Sequence, residues 1–144
     1  MAKKKFDAGR KIIVASGTRK SSKACATIQE GSGKILINQK PIEVFSNFQR
    51  LSLSEPLIIA EDVLKERIKQ LDISVTIRGG GVESQVEAAR LAIARAILAF
   101  NKSAELRNAF LKYDRMLLVA DTRRKEQRKP NDSKARAARQ KSYR

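Results

Sequence analysis

Side chains that catalyse reactions at neutral pH are scarce in this chain of 144 residues. It contains no histidine and a single cysteine, Cys25. The commonest acid/base group and a cysteine zinc cluster are therefore both excluded. Glu61, Asp62 and Glu66 fall within about two helical turns, but a solvated helix surface explains them better than a catalytic carboxylate set. We expect no catalytic residue, no metal and no cofactor.

Gly31-Ser32-Gly33-Lys34 is similar to part of a phosphate-binding loop. The full pattern requires a glycine five residues before the second one, where Ile28 stands, and a hydroxyl residue after the lysine, where Ile35 stands. The segment also joins two predicted strands rather than a strand and a helix. A turn is the better interpretation, and no nucleotide site is expected.

Basic side chains are concentrated at the two ends of the chain. Of the net charge of +16, +7 lies in residues 1–23, +1 in residues 24–122 and +8 in residues 123–144. Basic arms on a nearly neutral core suit a dense polyanion, because arms can follow a phosphate backbone. An anionic membrane is the rival, but membrane-binding helices need bulky apolar groups, and residues 123–144 offer only alanines and Tyr143. We therefore expect the binding partner to be a nucleic acid and not a membrane.

Three segments have the composition of RNA contacts. The basic tail has small spacers that allow it to thread narrow grooves, and its arginines can fork onto phosphates and stack on bases. The polar stretch 17–23 reads as a loop that combines cations with hydroxyls, unless it is merely solvated. A triple glycine before a helix presents backbone N–H groups to anions. A tight turn is the alternative, but three glycines exceed what one turn needs, and close approach of another backbone or of RNA would explain them. The candidate residues are Arg19, Lys20, Lys23, Gly79, Gly80, Gly81, Arg123, Arg124, Arg128, Lys129, Lys134, Arg136 and Arg139.

The hydrophobic pattern positions these segments on a two-layer α/β core of about 110 residues. Period-two alternation predicts a hairpin over 24–38 with Cys25 buried in it, and another strand over 72–78. Ser54 and Pro56 predict a helix start, with the helix reaching about residue 70. Further predictions are a strand at 11–15 and helices over 82–100 and 107–116. The domains are a disordered arm at 1–9, a core at 10–122 and an extended tail at 123–144.

Several short motifs occur in a fixed order along the chain. They are Arg19-Lys20, Gly33-Lys34-Ile35, Asn38 with Pro41, Glu55-Pro56-Leu57, Gly79-Gly80-Gly81 with Gln85, Ala88 and Arg90, Ala94-Arg95-Ala96, Asp114-Arg115, Asp121-Thr122-Arg123-Arg124 and Gln140-Lys141-Ser142-Tyr143-Arg144. In this order the motifs resemble the universal small-subunit ribosomal protein nine family, and the similarity covers nearly the whole chain, from about residue 11 to residue 144. The ending is similar to the archaeal and eukaryotic branch, whereas Ala89 and the segment 130–133 depart from the family pattern.

This resemblance implies a fold, a location and partners. The fold would be a two-layer α/β (α+β) domain with a four-stranded sheet, helices on one face and a left-handed βαβ crossover. The location would be the head of the small ribosomal subunit, on ribosomal RNA and beside other head proteins. The tail tip, Gln140, Lys141, Ser142, Tyr143 and Arg144, would reach the transfer RNA in the peptidyl site.

Two other function classes stay open at this point. The chain could be a free-standing RNA chaperone or regulator, or an enzyme of the same broad fold acting on phosphate compounds. The missing phosphate-loop pattern argues against the enzyme. No run of apolar residues approaches the roughly 20 that span a bilayer, and the N-terminus does not have the composition of a signal peptide. We expect a soluble, cytoplasmic protein on the ribosome.

Overall fold

The computed structural model describes residues 11–128 and 135–136. These residues form one mixed sheet and three α-helices, so the α+β class is confirmed. No helix in this part of the chain is long and apolar enough to cross a membrane. The strands are β1 (Ile13–Arg19), β2 (Ser22–Glu30), β3 (Ile35–Ile37), β4 (Lys40–Pro41) and β5 (Leu71–Arg78), and the helices are α1 (Asn47–Leu64), α2 (Val82–Asn101) and α3 (Ala104–Tyr113). Short 3₁₀ turns cover Ile42–Val44, Lys65–Gln70 and Arg115–Leu117.

The sheet has five strands in the order β1-β2-β5-β3-β4, and only the β3–β5 pair is parallel. The prediction of four strands was wrong, because the two-residue strand β4 adds a fifth at the edge. The predicted hairpin over 24–38 was also wrong, since β5 lies between β2 and β3. Asp72 explains the change of partner: its carboxylate accepts hydrogen bonds from the backbone N–H groups of Ser32 (2.8 Å) and Lys34 (2.9 Å). The turn is thereby held against the start of β5.

One face of the sheet is buried beneath helix α2. In β2 and β5 alternate residues are buried, as the period-two pattern predicts. Helix α2 and the sheet approach each other closely because small residues lie on both sides of the contact. A Cβ on Gly17 of β1 would stand 2.3 Å from the carbonyl oxygen of Ala88 and 2.7 Å from the backbone nitrogen of Ala92.

Cys25 lies on the other face of β2 and is exposed, so the prediction of a buried cysteine was wrong. The alternation itself decides this point. Ala24 and Ala26 point into the core, with 3% and 0% of their surface exposed, and the residue between them must point outward.

Helix α1 begins seven residues earlier than Ser54, the predicted cap. The Ser54 hydroxyl donates to the carbonyl of Arg50 at 2.8 Å, so it bonds back along the helix instead of capping it. Pro56 is buried within the helix and does not start it. By contrast, the predicted strand 72–78 and helix 82–100 match β5 and α2 to within one residue at each end. Helix α3 begins three residues before the predicted helix 107–116 and ends at Tyr113.

Candidate nucleic-acid interface

The β1–β2 connection is a tight hairpin that presents Lys20. Arg19 pairs with Ser22 across the ladder, so only Lys20 and Ser21 form the turn. The predicted loop over 17–23 was therefore wrong for most of its length. Lys20 has φ +51°, in the left-handed region that a two-residue hairpin turn uses. Its side chain and that of Lys23 are exposed.

The first two glycines of Gly79-Gly80-Gly81 are explained by the packing of this hairpin. Both have positive φ, +73° and +72°. A Cβ on Gly79 would stand 2.8 Å from the carbonyl oxygen of Ser21, and one on Gly80 would stand 1.8 Å from the hydroxyl of Ser22. The buried Ser22 hydroxyl also donates to the carbonyl of Gly79 at 3.0 Å. The glycines thus allow the β1–β2 turn to pack on the β5–α2 turn.

Gly81 differs from its two neighbours. It is the residue before helix α2, its φ is −91°, and a Cβ added to it would meet nothing within 4 Å. Neither backbone conformation nor internal packing requires a glycine there. The helix N-terminus behind it is exposed at this point.

A cluster of four charged residues fixes the start of the C-terminal segment. We call Arg19, Glu87, Asp121 and Arg123 the anchor cluster. The Arg19 guanidinium donates to the carboxylates of both Glu87 and Asp121. Asp121 also accepts from the backbone N–H of Arg123 (2.8 Å) and from its Nη2 (2.6 Å). The Asp121 side chain is only 5% exposed, whereas that of Arg123 is 82% exposed.

A second arginine holds the residues just before this cluster. Arg95 of α2 donates from Nε to the carbonyl of Leu118 at 2.9 Å and from Nη1 to the carbonyl of Ser16 at 2.8 Å. The neighbouring Leu117 is fully buried. The chain is therefore tied to both β1 and α2 up to Asp121, and its exit from the core is fixed.

The anchor cluster brings two predicted RNA-binding segments together. A groove, which we call the basic groove, lies between the β1–β2 turn and the first tail residues. Among the described residues, Lys20, Arg124 and Lys125 have no carboxylate within ion-pair distance, whereas Arg19 is paired. The groove is lined by Arg19, Lys20, Ser21, Arg123, Arg124 and Lys125.

Beyond the groove, the described residues of the tail carry one internal ion pair. Residues 123–128 are exposed and form neither helix nor strand. Arg136 donates from Nε to both oxygens of the Glu126 carboxylate at 2.9 Å, which lowers the pKa of Glu126. The other predicted contacts, Lys129, Lys134, Arg139 and the tip Gln140 to Arg144, lie outside the described residues.

Sequence reasoning from residue types missed the internal carboxylates. Glu87 and Asp121 looked like ordinary members of a neutral core, yet they orient the basic groove. Arg90 likewise pairs with Glu55 of α1 and with Asp114 at 3.0 Å, joining the three helices. The signal that could have found these residues is motif membership, since Glu55, Arg90, Asp114 and Asp121 all stand in the family-like motifs.

A nearly neutral α+β domain with a basic groove and a basic C-terminal segment is typical of proteins that bind nucleic acid. No cluster of potential metal ligands occurs among residues 11–128 and 135–136. The family model for "Ribosomal protein S9/S16" matches residues 17–144. The chain therefore belongs to the ribosomal protein S9/S16 family, and the resemblance seen in the sequence is confirmed.

Curated relatives agree with this assignment. Proteins named "Small ribosomal subunit protein uS9" from Methanococcus maripaludis and Methanococcus vannielii are 44% and 45% identical to the chain over 137 residues. Each alignment covers 93% of this chain and 99% of the relative. The archaeal relatives fit the branch indicated by the C-terminal residues. The chain is a structural constituent of the small ribosomal subunit, in a family of RNA-binding proteins that are not enzymes.

Proposed function

We propose that the chain grips ribosomal RNA of the subunit head with the basic groove and the tail 123–144. The observation that supports this most is the convergence of Lys20 with Arg124 and Lys125 around one groove. Two segments about a hundred residues apart in sequence thus present cations to the same ligand. Such contacts bind phosphate and position the protein without reading sequence. The core, 10–122, provides the rigid support from which the tail leaves.

A triple substitution tests the groove. Lys20→Ala, Arg124→Ala and Lys125→Ala together remove three cations that would contact phosphates. For a duplex ligand, log Kd against log salt should become shallower by about 2–3, because each phosphate contact contributes about 0.9. The slope is measured with purified protein and protein-free small-subunit ribosomal RNA.

A charge-matched control distinguishes the effect of the groove cations from the effect of a lower net charge. Lys40→Ala, Arg107→Ala and Lys112→Ala remove the same residue types from exposed positions elsewhere. We expect the control to retain most of the wild-type slope. Equal losses in the two triple variants would show that the groove has no special role.

Gly81 is the second proposed contact, since no contact among the described residues requires a glycine there. Gly81→Ser and Gly81→Asp both supply a preferred N-cap for α2 and should leave stability equal or slightly raised. A phosphate at this helix end would be repelled by the aspartate only. We expect Gly81→Asp to weaken RNA binding at least severalfold relative to Gly81→Ser. Equal affinities would remove Gly79-Gly80-Gly81 from the interface.

For the tail tip, we propose contact with the transfer RNA in the peptidyl site. The family resemblance of Gln140 to Arg144 supports this, and so does the chemistry of a short cationic tip. One or two charge-assisted bonds of roughly 1.5–3 kcal/mol each suit a ligand that binds and leaves in every cycle. Deleting 142–144 should leave subunits assembled but reduce peptidyl-site occupancy or reading-frame fidelity. Unchanged occupancy and fidelity would exclude this role.

Two further proposals follow from the same resemblance. The first is that the connection from β3 through α1 to the parallel strand β5 is left-handed. The second is that the protein resides in the head of the subunit. Sedimentation tests the association with the small subunit on which the second depends: the protein should move with small subunits in a sucrose gradient. A free-standing RNA regulator would stay mostly in the light fractions.

A further inference from the structure

Helix α1 exposes a stripe of large apolar side chains. Phe48, Leu51 and Ile58 are 70%, 62% and 55% exposed, and Val44 in the preceding turn is 65% exposed. Spacings of three and seven residues place the three helix residues on one face. The core-facing residues of α1 point elsewhere, since Leu53 and Ala60 are 1% and 0% exposed. We call Val44, Phe48, Leu51 and Ile58 the apolar stripe.

The charge around the stripe is opposite to that of the whole protein. Residues 42–64 contain four acidic side chains and one basic side chain, Arg50, in a chain of net charge +16. Asp62 stands four residues after Ile58, on the same helix face, and Glu43 is next to Val44, whereas Glu55 is paired with Arg90 and Glu61 with Lys69. A phosphate backbone would be repelled there and would find almost no cationic partner. The same charge disfavours an anionic membrane surface.

A second copy of the chain also fits poorly. A symmetric pairing through α1 would bring the acidic residues of one copy against those of the other. A partner with apolar anchors and a basic rim meets both properties of the surface, because apolar side chains would cover the stripe while cations neutralise its carboxylates.

We propose that the apolar stripe docks a basic protein of the small ribosomal subunit through that protein's own apolar side chains. This inference rests on the proposed location in the subunit head. It assigns different partners to two surfaces: RNA binds the basic groove and tail, and a neighbouring protein binds α1.

Site-specific photo-cross-linking in purified small subunits tests the assignment. The variant Leu51→p-benzoylphenylalanine places the reactive group on the stripe, and Arg50→p-benzoylphenylalanine places it on an adjacent exposed face of the same helix. We expect position 51 to give an adduct with one basic protein that resists ribonuclease and is identified by mass spectrometry. An adduct with RNA or with a second copy, or a yield no higher than at position 50, would overturn the proposal.

A second variant tests whether the contact matters for assembly. Leu51→Asp alters an exposed side chain, so the thermal unfolding temperature should stay near that of the wild type. The cross-linked neighbour should be depleted at least about tenfold from subunits that contain this variant. Retention of every subunit protein at wild-type stoichiometry would also overturn the proposal. Absence of the wild-type chain from small subunits would instead contradict the proposed function, which distinguishes the two failures.

Discussion

Replacing Asp121 with asparagine tests the anchor cluster, because it removes one charge and almost no volume. In the wild-type protein this carboxylate accepts from Arg19 and from three donors of Arg123, namely the backbone N–H, Nε and Nη2. Asparagine retains one acceptor oxygen. The Arg19 guanidinium, whose side chain is 19% exposed, is left with Glu87 as its only described carboxylate partner.

The expected loss of unfolding free energy depends on how exposed the arginine partners of Asp121 are. A hydrogen bond to a charged group contributes about 1.5–3 kcal/mol and a neutral one about 0.5–1.5 kcal/mol. Arg123 is 82% exposed, so its ion pair contributes at most about 1 kcal/mol. We therefore expect Asp121→Asn to lower the free energy of unfolding by about 2 kcal/mol, mostly through Arg19. The melting temperature should fall by roughly 6–10 °C for a domain of this size.

A double-mutant cycle measures this coupling. Urea unfolding of Arg19→Gln, Asp121→Asn and the double variant should give an interaction free energy of about 1 kcal/mol or more. The parallel cycle of Arg123→Gln with Asp121→Asn should give much less. If the effects of Arg19→Gln and Asp121→Asn on the unfolding free energy are additive within about 0.3–0.5 kcal/mol, the Arg19–Asp121 pair does not stabilise the anchor cluster. A larger coupling in the cycle with Arg123 would contradict the dominant role of Arg19 in the same way.

Two other predictions concern the turns. Gly80→Ala should destabilise the protein by about 1–3 kcal/mol, because Gly80 has φ +72° and its Cβ would collide with Ser22. Gly81→Ala should destabilise it by less than about 1 kcal/mol, because the poorer N-cap is partly offset by the lower entropy of the unfolded chain. Asp72 has a pKa below its ordinary value, because the backbone N–H of Lys34, followed by those of Ser32 and Gly33, stabilises the carboxylate against a smaller opposing effect of burial. Its contribution to stability is therefore complete above the unfolded pKa of about 3.9 and is lost as pH falls through the lower folded pKa.

Both are checked by urea unfolding. For the glycines, equal losses at positions 80 and 81 would contradict the packing described for the β1–β2 turn. For Asp72, the wild type is compared with Asp72→Asn from pH 7 down to pH 2, and the difference in unfolding free energy should shrink only below about pH 4. A difference that is independent of pH would show that the carboxylate charge does not hold the turn.

Local patterns predicted those elements whose hydrophobic period continues unbroken along their length. Strand β5 and helix α2 have strong period-two and helical patterns, and their predicted limits were correct to within one residue. Prediction failed where a distant strand or an earlier helix start changed the outcome. The hairpin over 24–38 was excluded by β5, and the hydroxyl of Ser54 bonded within a helix that had already begun.

The sequence by itself determined the class of partner and the family, because charge distribution and ordered motifs do not depend on folding. It located basic residues at Lys20 and at Arg124, about a hundred positions apart. It did not show that both of them line one groove. Only the tertiary structure decided this, since the meeting depends on Asp121, a buried carboxylate that accepts from Arg19 of β1 and holds the start of the tail. The same packing decided that Gly79 and Gly80 serve the hairpin turn while Gly81 makes no such contact among the described residues.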